Sequence, residues 1–365
     1  MKKVLLIQTQ NEAGGAQRVS MLLSKGLRAD GIIAKEVFFY NKTGAYSGEF
    51  VSSLLPNSKL SVFDLPRLVI RLVRYLRSEK PDAVILFQHW GCIIGSVAAK
   101  ICGIKIVIAN QSGLPNAAGI PRVASLLDLI VGCTRLYSFN IVNSDFTKKA
   151  FSTYPKPYRN KLREIKHGVE ISALSDHSKN ILPAVDDSKF LKLLSAGRLV
   201  EQKNHIISVR ALTKATNSVL YIAGDGPLKA DILNEASALN VSDRVVLLGE
   251  VSPENMANLI NECDVFVFPS IWETFGMAVV EAAISGLPVV CSKLDVLKEV
   301  LKVESFPDAV KFFDPEDSDV LSDILVLLED SKFTSKIMVD ENYADELAEK
   351  YSVLKMAKKY SDLID

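Results

Sequence analysis

The chain has 365 residues, more than one hydrophobic core usually serves, so two domains are expected. With 48% hydrophobic and 24% charged residues it reads as a globular protein. Its equal numbers of basic and acidic side chains, 43 of each, argue against a uniformly basic nucleic-acid binder. The charge is unevenly spread: residues 1–170 carry 24 basic against 11 acidic residues, and the remainder carries 19 against 32, which points to two halves with different partners.

The start, Met1-Lys2-Lys3, leads into a short apolar run at Val4 to Gln8, which reads as a strand and not as a signal peptide. The most apolar region, Asp82 to Asn110, is interrupted by Gln88, His89, Gly91, Lys100 and Gly103, so no membrane span is expected. Five scattered cysteines without a C-x-x-C pair, and four scattered histidines, suggest buried thiols in a cytoplasmic protein with neither a metal site nor a cofactor.

After the first strand, the turn containing Gly14 and Gly15 enters a helix that runs to about Arg28. A glycine pair there lets backbone pass close to a ligand phosphate, although the dinucleotide pattern G-x-G-x-x-G is missing. Further strands are expected at Ala34–Phe39, Ala83–Phe87, Lys105–Ala109, Phe139–Val142 and Arg163–Lys166. Helices are expected near 66–79, 91–102, 121–137 and 144–153, and residues 40–65 read as a loop. Strands alternating with helices predict a parallel, doubly wound sheet. In helix 66–79, Arg67, Arg71 and Arg74 share one face beside an apolar stripe of Leu68, Leu72 and Leu76. That segment is either a surface helix packed on the sheet or a basic face resting on anionic lipid. Two turns at strand ends hold candidate acceptor-side residues, His89 after Phe87, and Asn110 with Gln111 after Ala109.

The polar stretch 171–189 reads as a linker between domain 1–170 and domain 190–345, with a last helix over 346–365. In the second domain, strand Phe190–Ser195 delivers Gly197, Arg198 and Lys203. An Arg fork and a Lys point charge at a strand's end suit a diphosphate, whose charge grows as it leaves. Strand Tyr221–Ala223 leads to Gly224-Asp225-Gly226-Pro227, and strand Val245–Leu248 leads to Gly249, Glu250 and Val251. Strand 265–268 leads to a loop with Glu273. A helix over roughly Gly276 to Ser285 then carries Glu281 and ends before Gly286-Leu287-Pro288. The amides of Thr274, Phe275, Gly276 and Met277 open that helix and carry partial positive charge suited to phosphate. Glu273 would then serve sugar hydroxyls and Glu281 a ribose diol; taken alone, the pair reads equally as a surface Glu before a helix and a second Glu inside it.

The string E-x7-E (Glu273, Glu281) followed by Ser285-Gly286-Leu287-Pro288-Val289-Val290 resembles the donor site of family 4 retaining glycosyltransferases of the two-domain GT-B type. Gly197-Arg198-Leu199 with Lys203-Asn204, Gly224-Asp225-Gly226-Pro227, the Gly14-Gly15 turn and His167-Gly168-Val169-Glu170 resemble the same family. The resemblance implies two Rossmann-like domains facing each other across a cleft, with the acceptor on the first and a nucleotide diphosphate sugar on the second. It also implies main-chain contact to the base around Gly249, Glu250 and Val251, and a last helix that returns to the first domain. The implied reaction is retaining, metal-independent transfer from a nucleotide sugar, UDP by default, to a saccharide or lipid-linked saccharide in surface polysaccharide or glycan synthesis. Glu273, Arg198 and Lys203 would be its catalytic residues. Gln111 stands where related enzymes often carry a histidine. A nucleotide-sugar epimerase of the same fold, and a non-catalytic sugar-nucleotide-binding subunit, stay open as alternatives, while a phosphorylase would need a longer chain and a pyridoxal lysine. Peripheral contact with the inner face of an anionic membrane is the further expectation from the basic first half.

Overall fold

The computed structural model describes all residues except 112, 116–120, 171–181, 183–189 and 335–339. The expected linker therefore lies outside the described residues apart from Leu182, whose N–H donates to Glu262. The chain divides into two compact units, Met1–Val169 with Tyr351–Asp365, and Glu170–Lys350.

In chain order the first unit contains β1 (Lys3–Gln10), α1 (Gly15–Ala29), β2 (Ile33–Tyr40), β3 (Val51–Leu55), α2 (Leu65–Glu79), β4 (Ala83–Phe87), α3 (His89–Ile101), β5 (Ile106–Asn110), α4 (Arg122–Cys133), β6 (Phe139–Val142), α5 (Asp145–Ala150), α6 (Lys156–Arg159) and β7 (Leu162–Glu164). Its strands form one parallel sheet in the order β3-β2-β1-β4-β5-β6-β7. Val4 to Ile7 and all of β4 are fully buried, as expected of strands covered by helices on both faces. Leu68, Leu72 and Leu76 repeat every four residues on α2 and turn one face of that helix into the core. The strand at Val51–Leu55 and a 3-10 turn at Val62–Asp64 correct the expectation of a loop over 40–65. With two serines in five residues and an edge position, β3 has no period-2 signature to read. The turn is held by a capping box in which Asp64 accepts from the Ser61 N–H.

The second unit contains β8 (Leu191–Ala196), α7 (His205–Ala211), β9 (Ser218–Ala223), α8 (Lys229–Ala238), β10 (Val245–Gly249), α9 (Pro253–Glu262), β11 (Val265–Phe268), α10 (Met277–Ile284), β12 (Val289–Ser292), α11 (Asp295–Leu301), β13 (Val310–Phe313), α12 (Ser318–Thr334) and α13 (Glu341–Lys350). Its parallel sheet has the order β10-β9-β8-β11-β12-β13. The last helix, α14 (Val353–Ile364), belongs to the first unit and begins later than the expected 346, because Ser352 caps it. It lies on α1, where Gly26 leaves room for it: a Cβ there would stand 2.7 Å from the Ala357 methyl. No helix among the described residues is long and apolar enough to cross a membrane.

Candidate active site

In an open parallel sheet, ligands collect where the chain reverses its direction of winding, outside the carboxyl ends of the strands. In the second unit that point lies between β8 and β11. The turn leaving β8 carries Gly197 to Lys203, and the turn leaving β11 carries Ser270 to Gly276. The Lys203 ammonium meets the Glu273 carboxylate at 2.5 Å, so residues far apart in sequence are joined at the switch point itself.

Backbone contacts knit four turns together. Gly197 N–H donates to Ala223 at 2.9 Å and Leu199 N–H to Asp225 at 3.0 Å, while Gly224 N–H donates to Gly249 at 2.7 Å. The turn after β11 is tied in by Ile271 N–H to Gln202 at 2.9 Å and by the Gln202 side-chain amide to Trp272 at 3.0 Å. Glycine is required at 224: its φ is +148°, and a Cβ would lie 1.9 Å from the Gly197 carbonyl oxygen. Gln202 as a clamp was missed in the sequence, since one amide in a charged stretch has no pattern.

Glu273 is 7% exposed and Lys203 is half-buried, with its ammonium 4.9 Å from the centre of the Phe268 ring. Arg198 is exposed on the same turn. Gly276, at φ +82°, caps α10, and Glu281 is buried on that helix's second turn. The loop's last residues, Thr274 and Phe275, lead straight into Gly276 and Met277 at the helix start. Gly249, at φ +72°, ends β10, followed by exposed Glu250 and half-buried Val251. Behind the Arg198–Lys203 turn sits His205, which sequence reading passed over. Its Nδ1 lies 3.1 Å from Ser195 Oγ. Burial, and next the Lys203 charge, push its pKa down to about 4, against the opposing pull of the Gly197 and Arg198 backbone. The imidazole is therefore neutral and adds no charge to the turn. A signal existed only in its place beside Lys203-Asn204.

Residues 179–349 match the family model described as glycosyl transferases group 1. EpsF of Bacillus subtilis (strain 168) is 30% identical over 315 residues, covering 80% of this chain and 79% of that protein. The chain belongs to the group 1 glycosyltransferases. A second relative, the UDP-Gal:alpha-D-GlcNAc-diphosphoundecaprenol alpha-1,3-galactosyltransferase of Escherichia coli, is 25% identical over 392 residues, 99% of this chain and 96% of that one. Among solved structures, Anabaena HepE in complex with UDP and glucose aligns with a TM-score of 0.80 at 18% identity, over 99% of each chain. The fold is GT-B.

In the first unit of this glycosyltransferase the winding reverses between β1 and β4. Their ends are linked: Thr9 N–H donates to the Gln88 side chain at 2.9 Å, and Gly91 N–H to Thr9 Oγ1 at 3.1 Å. Gly14 caps α1, and Gly15 begins it with open space where a side chain would stand. His89 is half-buried at the start of α3, its pKa lowered by burial against the charge of Asp128. Asn110 and Gln111 turn inward instead of lining the edge. The Asn110 amide donates to the Tyr360 hydroxyl at 2.7 Å, and the Gln111 amide to Asp128 at 3.0 Å. Asp128, a buried carboxylate with no pattern in the sequence, also accepts from Tyr137 and Tyr158, each at 2.9 Å.

Proposed function

We propose that this glycosyltransferase is a family 4 enzyme. It moves a sugar from a UDP-sugar to a lipid-linked saccharide with retention of anomeric configuration and without a metal ion, in surface glycan synthesis. The Lys203–Glu273 pair at the β8/β11 switch point carries the reading. The name of the E. coli relative and the UDP bound in the HepE structure support the donor, and that relative's acceptor supports the lipid link.

The second unit acts as the donor domain and the first as the acceptor domain. Arg198 and Lys203 take the diphosphate, and the start of α10 at Gly276 and Met277, with Thr274 and Phe275 before it, adds the positive end of a helix. Glu273 holds sugar hydroxyls while its bond to Lys203 keeps both side chains in register. Glu281 takes the ribose, and the backbone at Gly249, Glu250 and Val251 meets the base. Gly14 and Gly15 offer open backbone to ligand, and His89 stands on the acceptor side. As the bond from the anomeric carbon to the phosphate oxygen breaks, the acceptor oxygen bonds to that carbon on the same face. The acceptor's proton passes to the departing phosphate. Charge building on UDP is met by cations already in place, which lowers the barrier more than it tightens substrate binding.

The test is an NMR reading of product configuration with UDP-sugars and a diphospho-lipid saccharide. An inverted product contradicts retention. A folded protein that binds UDP-sugar yet neither hydrolyses nor transfers it contradicts the enzyme.

A further inference from the structure

α3 packs between α2 and α4, and the three helices cover one face of the first unit's sheet. Among the described residues their outer faces are uncovered and alike. On α4, Val123, Leu126 and Ile130 recur at helical spacing and are 64%, 56% and 52% exposed. On α3, Trp90, Val97 and Ile101 form a similar exposed line. On α2 the exposed line begins at Phe63, 94% exposed in the preceding turn, and continues through Arg67, Ile70, Arg74 and Arg77. It differs from the face expected from sequence, because Arg71 folds back and donates to the Leu54 carbonyl.

The charge of this layer is one-sided. Between residues 60 and 135 there are nine basic and four acidic residues. All four carboxylates are engaged within the unit: Asp64 in its capping box, Glu79 with Lys3 and Lys35, Asp82 with the Lys3 N–H, and Asp128 in its buried cluster. The cations other than Arg71, among them Arg67, Arg74, Lys100 and Arg122, are exposed. Exposed apolar side chains in line on three adjacent helices, mixed with cations and with the nearby carboxylates already engaged, are what an anionic lipid surface selects. The apolar tips enter the acyl boundary and the cations meet the headgroups.

We propose that the α2–α3–α4 face seats the enzyme on an anionic bilayer. A helix returning from a parallel strand starts at that strand's carboxyl edge. Phe63, Trp90 and Val123, at or just before the starts of their helices, therefore sit beside the edge where His89 lies, and a diphospho-lipid acceptor reaches that edge with its lipid still in the membrane. That purpose rests on the reading of the acceptor given above, but the binding itself does not.

The experiment is co-sedimentation of the full chain, without donor or acceptor, with phosphatidylcholine vesicles that contain or lack phosphatidylglycerol. The wild type is expected to bind only the anionic vesicles and to be released by salt. Leu126→Glu with Ile130→Glu, and separately Arg67→Glu with Arg74→Glu, each lower binding by about tenfold or more. UDP affinity and the thermal midpoint stay at wild-type values, so a failed donor site and a failed lipid face give different results. Absence of wild-type binding at low salt overturns the proposal, as does unchanged binding by both pairs. A wild-type dimer that the α4 pair dissociates, with no vesicle binding, overturns it in favour of self-association.

Discussion

At the scale of single residues, the Lys203–Glu273 pair sets the terms. Glu273 is almost closed off from water, so removing Lys203 leaves a carboxylate with little solvent to replace its partner. Lys203→Ala is expected to lower kcat by about a hundredfold or more. By urea unfolding, Lys203→Ala should be less stable than the double variant Lys203→Ala with Glu273→Ala, which removes the stranded charge. Additive single effects would mean that the pair is not coupled. The place of these two residues was legible in sequence, because each is a charge that follows an apolar run and so stands at a strand's end. His205, Glu36 and Asp128 were not, because their properties arise from burial. Glu36, fully enclosed with Ser20 and Gln8, has its pKa raised to about 8 by burial. Its stabilising effect is complete below the ordinary value of 4.5 and is lost as pH rises through 8. Glu36→Gln should therefore gain stability over wild type at pH 8 and lose that gain near pH 5. His205 and His167 have the opposite sign. Burial holds both near 4, so their contribution is present above 6.5 and is lost as pH falls through 4. His205→Gln should flatten the acid side of a stability profile measured by urea midpoint, by at most about 3 kcal/mol.

At the scale of elements, the turns matter more than the strands they follow. Strands such as β4 and β11 were plain in sequence as unbroken apolar runs, and most boundaries shifted by a residue or two. β3 was invisible because its pairing comes from β2 beside it and not from its own residues. The interlocking of four turns is not legible in sequence either, since each glycine taken alone serves its own turn. Gly224→Ala is expected to destabilise the second unit by about 2–4 kcal/mol, because it meets the Gly197 backbone and not a flexible side chain. A midpoint unchanged in thermal unfolding would show that the turns move independently. On the first unit, Tyr360→Phe strands the buried Asn110 amide and should cost about 1–3 kcal/mol by the same measurement. A smaller loss would mean that this hydrogen bond adds little to the docking of α14.

At the scale of the molecule, two parallel sheets with their own cores account for the length, and the charge imbalance has a place. The excess of basic residues in the first 170 residues includes the exposed cations of the α2–α3–α4 face, while the second unit places Arg198 and Lys203 at one switch point despite its acidic balance. Net charge thus says little about the proposed donor site, which is marked by position within the sheet. On the proposed function, the β8/β11 turns grip a diphosphate. Titration calorimetry of UDP with wild type, Arg198→Ala and Lys203→Ala tests it most directly. Binding by the wild type is expected, with a loss of about tenfold to a hundredfold in each folded variant, as for a charged hydrogen bond removed. UDP affinity in both variants within twofold of the wild type, a margin of about 0.4 kcal/mol, would contradict it.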